Sequence, residues 1–208
     1  MARAGNTVIA IAGPPGSGKS TLADALAQRL GDAVVLAMDH YQRMTRMPIG
    51  EVECWRARGA DLAELPVGPL AEHLTALKEG CSVQDPATRA TLEPRNYIVF
   101  DTHFGRAHQP TGALIDMLVW LDTPLDVALA RNLRGFLRPL LGPGPAAQTQ
   151  DRLQWIHGYL DNYEMVVSGL VHMQSARIRP GADLVIESPC TTPEAVERIC
   201  AMLPTTGR

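Results

Sequence analysis

Short, unbroken apolar runs punctuate the chain at Thr7–Ala12, Ala33–Met38, Tyr97–Phe100, Leu118–Leu121 and Asp183–Ile186. Runs of this length, rich in Val, Ile and Leu and without polar alternation, predict strands buried on both faces. Between them the apolar period lengthens to three or four. Leu22, Ala23, Leu26, Ala27 and Leu30 form one helical stripe over Thr21–Leu30, and Leu70, Leu74 and Leu77 form another over Val67–Lys78, stopped by Glu79-Gly80. Thr123-Pro124-Leu125-Asp126 has the chemistry of a helix start, with Thr as N-cap, Pro at the first helical position and an acidic residue in the first turn. That helix is predicted to reach about Leu141, where Gly142-Pro143-Gly144-Pro145 breaks it. Leu153, Ile156, Leu160, Tyr163, Val167 and Leu170 then hold helical spacing through one long segment, and Pro193–Leu203 closes the chain as a short helix. Residues 43–66 show no clear period, and no internal repeat is visible. Strands alternating with helices predict an α/β fold of three layers, a parallel sheet with helices on both faces.

Composition narrows this picture only a little. With 208 residues and 46% hydrophobic content the chain can bury the core of a single domain spanning 1–208, with a small helical lid around 131–150. A net charge of −3 gives no general attraction to nucleic acid or to an anionic membrane. No apolar run reaches the roughly 18 residues of a membrane span, and the N-terminus enters the first strand without room for a signal peptide. The expectation is a cytoplasmic protein. Cys54, Cys81, Cys190 and Cys200 have neither zinc-site spacing nor disulfide-scaffold density, so they are expected as reduced thiols. The six histidines make no metal-binding pair at helical spacing.

The candidate chemistry begins directly after the first strand. Gly13-Pro14-Pro15-Gly16-Ser17-Gly18-Lys19-Ser20 fits the phosphate-loop pattern, Gly, four residues, then Gly-Lys-Ser, followed by Thr21 and a helix. Glycines let the backbone curl so that successive N–H groups face a phosphate, and the helix adds its positive end. Lysine occurs only here and at Lys78, which makes the match specific. Lys19 is placed to reach the β- and γ-phosphates, and the Ser20 hydroxyl to ligate Mg²⁺.

Ligands of an open parallel sheet sit beyond the carboxyl ends of its strands. Three apolar runs deliver a carboxylate to that edge, as Asp39, Asp101 and Asp122. Strands lie about 4.8 Å apart, so an Asp one or two strands from the loop reaches the γ-phosphate or its metal shell. Asp39 and Asp101 are the candidates for orienting an acceptor hydroxyl and for holding Mg²⁺ or its waters, and either is also a candidate cap on the following turn. Asp122, followed by Thr123-Pro124, is read as part of the helix start. Arg131, Arg134 and Arg138 are spaced by three and four residues and share one side of their helix. Such a row suits a lid that closes over a phosphate in transfer, or else a solvated basic face. His40, Tyr41 and His103, just past the Asp-ended strands, are candidate acceptor contacts. Trp55, with Arg56 and Arg58, either lines an acceptor pocket or packs.

The order of these motifs resembles the uridine kinase and phosphoribulokinase family of P-loop kinases. The resemblance is carried by residues 13–20, by Met38-Asp39-His40-Tyr41, by Leu74 through Gly80 with Val83, by Leu121-Asp122-Thr123-Pro124 with the Arg-bearing helix, and by Arg179-Pro180-Gly181-Ala182-Asp183-Leu184-Val185-Ile186. It spans nearly the whole chain and implies the kinase-type strand order 2-3-1-4-5. It also implies that Asp39 acts on the acceptor hydroxyl, that Asp101 belongs to the metal shell, that Arg131 and Arg134 contact phosphates, and that Arg179 and Pro180 neighbour the base. The acceptor side departs from the family. Asp85-Pro86-Ala87-Thr88-Arg89-Ala90-Thr91 stands where uridine kinases carry a Tyr-Asp-Phe segment and a pyrimidine-reading His.

The expected protein is a Mg²⁺-dependent kinase moving the γ-phosphate of ATP, or a related nucleotide, to a hydroxyl of a nucleoside-like or sugar-like small molecule. Another hydroxylated metabolite or antibiotic is an alternative acceptor. A nucleotide-dependent switch that binds a partner protein is the alternative from another class, although no Asn-Lys-x-Asp guanine motif is present. The oligomeric state, a homo-oligomer included, stays open.

Overall fold

In the computed structural model, which describes residues 6–42, 49–142 and 146–204, β1 (Thr7–Ala12) leads through the phosphate loop into α1 (Lys19–Leu30) and then β2 (Ala33–Ala37). There follow α2 (Ile49–Ala57), α3 (Leu70–Lys78), a small hairpin of β3 (Val83–Gln84) and β4 (Thr91–Leu92), β5 (Tyr97–Asp101), α4 (Gln109–Gly112) and β6 (Met117–Asp122). The rest is α5 (Leu125–Leu137), α6 (Ala146–Asn162), α7 (Ser168–Ile178), β7 (Leu184–Glu187) and α8 (Thr192–Met202). Five strands pair in the order β2-β5-β1-β6-β7, every pair parallel. Counted over this sheet alone, that is the order 2-3-1-4-5.

Strand pleating divides the core in two. Val8, Ala10, Ile98, Phe100, Leu118 and Trp120 face a layer built from α3, α7 and the segment around Trp55 and Leu62. Ile9, Ile11, Val99, Val119 and Leu121 face Leu22 and Leu26 of α1 and Val196 and Ile199 of α8. Successive side chains of a strand point to opposite faces, so one unbroken apolar run supplies both layers. This is why the runs lack polar alternation.

Helix boundaries differ from expectation where proline intervenes. α3 starts at Leu70 rather than at Val67, because Gly68, at φ 52°, precedes Pro69, which takes the N-cap. Past Leu137 the chain tightens into a 3₁₀ turn, Arg138–Leu141, since Pro139 has no N–H to continue the ladder. Thr123 does not cap α5. Pro124 holds that position without a side-chain hydrogen bond, whereas Thr191 and Glu194 form a reciprocal capping box on α8. The long predicted segment is two helices joined by a π turn, Tyr163–Val167. Within the expected lid at 131–150 and the Gly/Pro break, residues 143–145 lie outside the described ones, as do 43–48 of the segment without a clear period. Among the described residues no helix is long and apolar enough to cross a membrane.

Candidate active site

The loop between β1 and α1 needs glycine for two separate reasons. Gly13 sits where a Cβ would come 2.9 Å from both Leu121 O and Ser17 Oγ. Gly16 adopts φ 85°, and a Cβ there would run into the Ala128 carbonyl of α5, with Asn132 Cγ 3.2 Å away. The loop is thus pressed between the end of β6 and α5. Ser17 N donates to Pro14 O at 3.0 Å and closes the turn, while Gly18, at φ 97°, caps α1. No protein acceptor meets the amides of Gly18, Lys19 or Ser20 among the described residues. Ser17 Oγ is buried without a hydrogen-bond partner. Free amides at a helix N-terminus beside an orphaned hydroxyl fit a phosphate group.

Sheet register brings the charged residues to this loop. Asp101 pairs with Ile11 of β1 on one side and Ala37 of β2 on the other. Its carboxylate therefore stands between the loop and Asp39, two residues beyond Ala37. Ser20 Oγ donates to Asp101 Oδ2 at 2.6 Å. Two oxygen donors in contact suit Mg²⁺, which keeps most of its shell as water and phosphate oxygen. Lys19 is buried and its Nζ donates to Pro14 O at 3.3 Å. Burial lowers its pKa, and the charges of Asp101 and Asp39 oppose that shift.

Asp39 lies on the 3₁₀ turn Met38–His40 with its side chain 57% exposed, and its Oδ1 is 2.7 Å from His103 Nε2 and 3.4 Å from Gln42 Nε2. The hydrogen bond from His103 holds the Asp39 carboxyl down at about 2, with burial working against it and the charges of His103 and Lys19 adding to it. His103 is presented by a braced turn. Thr102 N donates to Ile11 O at 3.0 Å, and Thr102 Oγ1 accepts from Phe104 N at 3.2 Å.

Other predicted residues stand elsewhere. His40 Nδ1 is 2.6 Å from Asp85 Oδ2, and that buried carboxylate also accepts from the amides of Ala87 and Thr88. Tyr41 is buried, its hydroxyl bonded to His73 Nδ1 at 2.9 Å, and burial pushes its pKa up to about 12. Trp55 is buried as well, with Nε1 donating to Asp61 O at 2.8 Å. Lys19, Ser20, Asp39, Asp101 and His103 are brought together, while His40, Tyr41 and Trp55 are engaged by the surrounding frame.

Arg131 lines a cleft of about 240 Å³ beside Ser17, Gly18 and Thr21, closed on its far side by Thr191 and Ala195. Arg134 and Arg138 are exposed. Arg179 and Pro180 line a separate groove that touches Pro14, and Arg179 Nε donates to Asp122 Oδ2 at 3.1 Å. Asp122, read in the sequence as helix-start chemistry, instead binds Trp120 Nε1 at 3.0 Å and holds Arg179. Sequence reasoning missed Gln174, Phe104, Trp155 and Tyr159, which line a cavity opening at His103. Gln174 did leave a signal, a polar residue on the helical stripe that runs from Val171 to Ile178.

A glycine-turned loop at the end of a central parallel strand, feeding a buried lysine and a Ser–Asp pair, defines a P-loop nucleotide-binding protein. Residues 9–134, more than half of the chain, match the family described as AAA domain, and the chain belongs to that family of P-loop proteins. It is 30% identical over 124 residues to a cytidylate kinase of Halobacterium salinarum (strain ATCC 29341 / DSM 671 / R1), a match covering 60% of this chain and 56% of that protein. The aligned part is thus little more than half the length of that relative. Among solved structures it is similar to a possible uridine kinase from Bacillus stearothermophilus, at 20% identity and TM-score 0.51 over 89% of this chain and 91% of the other. Shikimate kinase from Acinetobacter baumannii, in complex with shikimate, aligns at 19% identity and TM-score 0.53 over 95% and 92% of the two chains. These two likenesses concern the fold.

Proposed function

We propose that this protein is a small-molecule kinase that transfers the γ-phosphate of ATP, or of a related nucleoside triphosphate, to an acceptor hydroxyl. The observation that carries this reading is the convergence at one sheet edge of Lys19, the Ser20–Asp101 pair and the Asp39–His103 pair. Phosphoryl transfer asks a protein for positioning and charge stabilisation, and these residues supply both. The loop amides and Ser17 Oγ hold the β- and γ-phosphates, and Lys19 turns from Pro14 O to join them. Mg²⁺, held by Ser20 and Asp101, supplies charge neutralisation at the phosphates when bound. Asp39 orients the acceptor hydroxyl and receives its proton, kept anionic by His103. The base lies in the cleft beside Arg131 or in the groove of Arg179 and Pro180. Arg131 and Arg134, on the lid segment of a single domain, meet the charge of the phosphate in transfer.

ADP formation, measured with and without nucleosides, sugars and other hydroxyl compounds, tests the reading. Acceptor-dependent ADP and a phosphorylated product are expected. Slow hydrolysis that no acceptor raises would sink it. Likeness to a cytidylate kinase favours one second reading, a phosphate rather than a hydroxyl as acceptor. Nucleoside monophosphates in the same assay decide between the two.

A further inference from the structure

The cavity that opens at His103 is unlike the rest of the site. It encloses about 560 Å³, within the range of sites for small organic ligands, and Pro15 of the phosphate loop, Gln42 and His103 form its reactive side. Asp39, bonded to both Gln42 and His103, is therefore next to anything the cavity holds. Its other walls come from α6, the π turn and α7, with Val52 of α2 and Phe104. π turns inside helices are frequent at functional sites, and this one turns Val166 and Val167 to the cavity.

Aromatic rings form one wall. Trp155 and Tyr159 stack with centroids 5.9 Å apart and planes inclined by 19°, and Phe136 meets both edge-on at 5.0 and 4.9 Å. This bracing fixes the ring planes, yet Trp155, with the Arg152 guanidinium 5.3 Å from its ring centroid, remains 51% exposed. Gln174 lines the same cavity at 7% exposure, and its Oε1 has no hydrogen-bond partner. A buried carboxamide left unpaired is unfavourable until a ligand group completes it. Among the described residues the lining contains no Arg, Lys, Asp or Glu, and the one ring in it that can carry positive charge, His103, is already paired with Asp39 at 2.7 Å, so the lining favours an uncharged ligand over a phosphate or carboxylate.

We infer that the phosphate acceptor is an uncharged hydroxyl compound with a flat aromatic or apolar body, seated in this cavity with a polar group of that body on the Gln174 carboxamide. The inference rests on the kinase reading and names the substrate class of the same site. In the transfer, the acceptor oxygen bonds to the γ-phosphorus as the bond to the β–γ bridging oxygen breaks. ADP leaves, and the hydroxyl proton passes to Asp39 and then to solvent.

Two readouts test this separately from the kinase reading. Trp155 fluorescence reports binding, with Trp155→Phe as the control for signal from the buried Trp55 and Trp120, and ADP formation reports transfer. The ligands are uncharged nucleosides and aryl alcohols on one side, and shikimate, sugar phosphates and nucleoside monophosphates on the other. The uncharged set is expected to quench Trp155 and to drive ADP formation. Gln174→Leu, which removes an unpaired buried amide and so keeps the fold, is expected to raise the acceptor KM about tenfold while moving the ATP KM by less than about twofold. Trp155→Ala should raise the acceptor KM while leaving the ATP KM within about twofold. Quenching by uncharged ligands without ADP would remove the kinase reading and leave the cavity's ligand class standing. Turnover with charged acceptors alone, or an acceptor KM indifferent to Gln174→Leu, would overturn the inference and leave the kinase reading intact.

Discussion

The phosphate loop and the cavity beneath α6 and α7 meet at Pro15, yet they are made of different materials. On the loop side the working groups are backbone amides, one lysine and two carboxylates, all within reach of a single strand–loop–helix unit and its neighbours β5 and β2. The cavity side is built from side chains of helices far along the chain, Trp155, Tyr159 and Gln174, which come to His103 only through packing. A phosphate is the same in every nucleotide, so backbone geometry can hold it. An acceptor differs from one enzyme to the next and has to be met by side chains whose identity is free to vary.

The comparison breaks most visibly at its seam. Asp39→Asn should lower acceptor-dependent ADP formation by about 10²–10⁴-fold, the scale of a lost general base, with nucleotide affinity within about threefold. Equal loss of nucleotide binding in a titration would show that the two halves are not separable. Lys19→Met probes the loop side. A drop of about 10²–10³-fold in kcat is expected from removing one preorganised cation, together with weaker nucleotide binding and unchanged quenching of Trp155 by acceptor.

Gly16→Ala asks whether the loop is held by its backbone. The left-handed φ and the Ala128 carbonyl both oppose a Cβ, and a loss of about 1–3 kcal/mol in urea unfolding is expected. A neutral result would mean that α5 moves aside freely, and the loop would then owe less to its frame than the packing implies.

The smallest expected effect is on titration. His103→Ala removes the main group holding Asp39 near 2, so its carboxyl should rise toward the ordinary 3.8, which NMR titration of the side-chain carbon reads. A depressed carboxylate adds stability that is present above 3.8 and lost as pH falls through about 2. The stability gap between wild type and His103→Ala should therefore narrow as pH drops across that window. A gap that widens there would mean that His103 stabilises the fold through something other than Asp39.

Much of the loop half was legible in the linear chain. The eight residues 13–20 are contiguous, Asp101 ends an apolar run that had to be a strand, and Asp39 follows the end of another. Tertiary structure reassigned their neighbours. His40 and Tyr41 sit beside Asp39 in the chain, but the 3₁₀ turn at Met38–His40 sends them to Asp85 and His73. Asp122 resembled Asp39 and Asp101 in its place after a strand, yet it shares a strand face with Trp120 and is taken up by that indole and by Arg179.

The sequence by itself determined the strands, the two-sided core and the phosphate loop, because these depend on periodicity and on residues adjacent in the chain. Only the tertiary structure decided that α6 and α7 stand over His103 with an aromatic wall and an unpaired Gln174. Those contacts join residues more than fifty positions apart in the chain, and no local pattern encodes which distant side chains a packed helix will bring to the same opening.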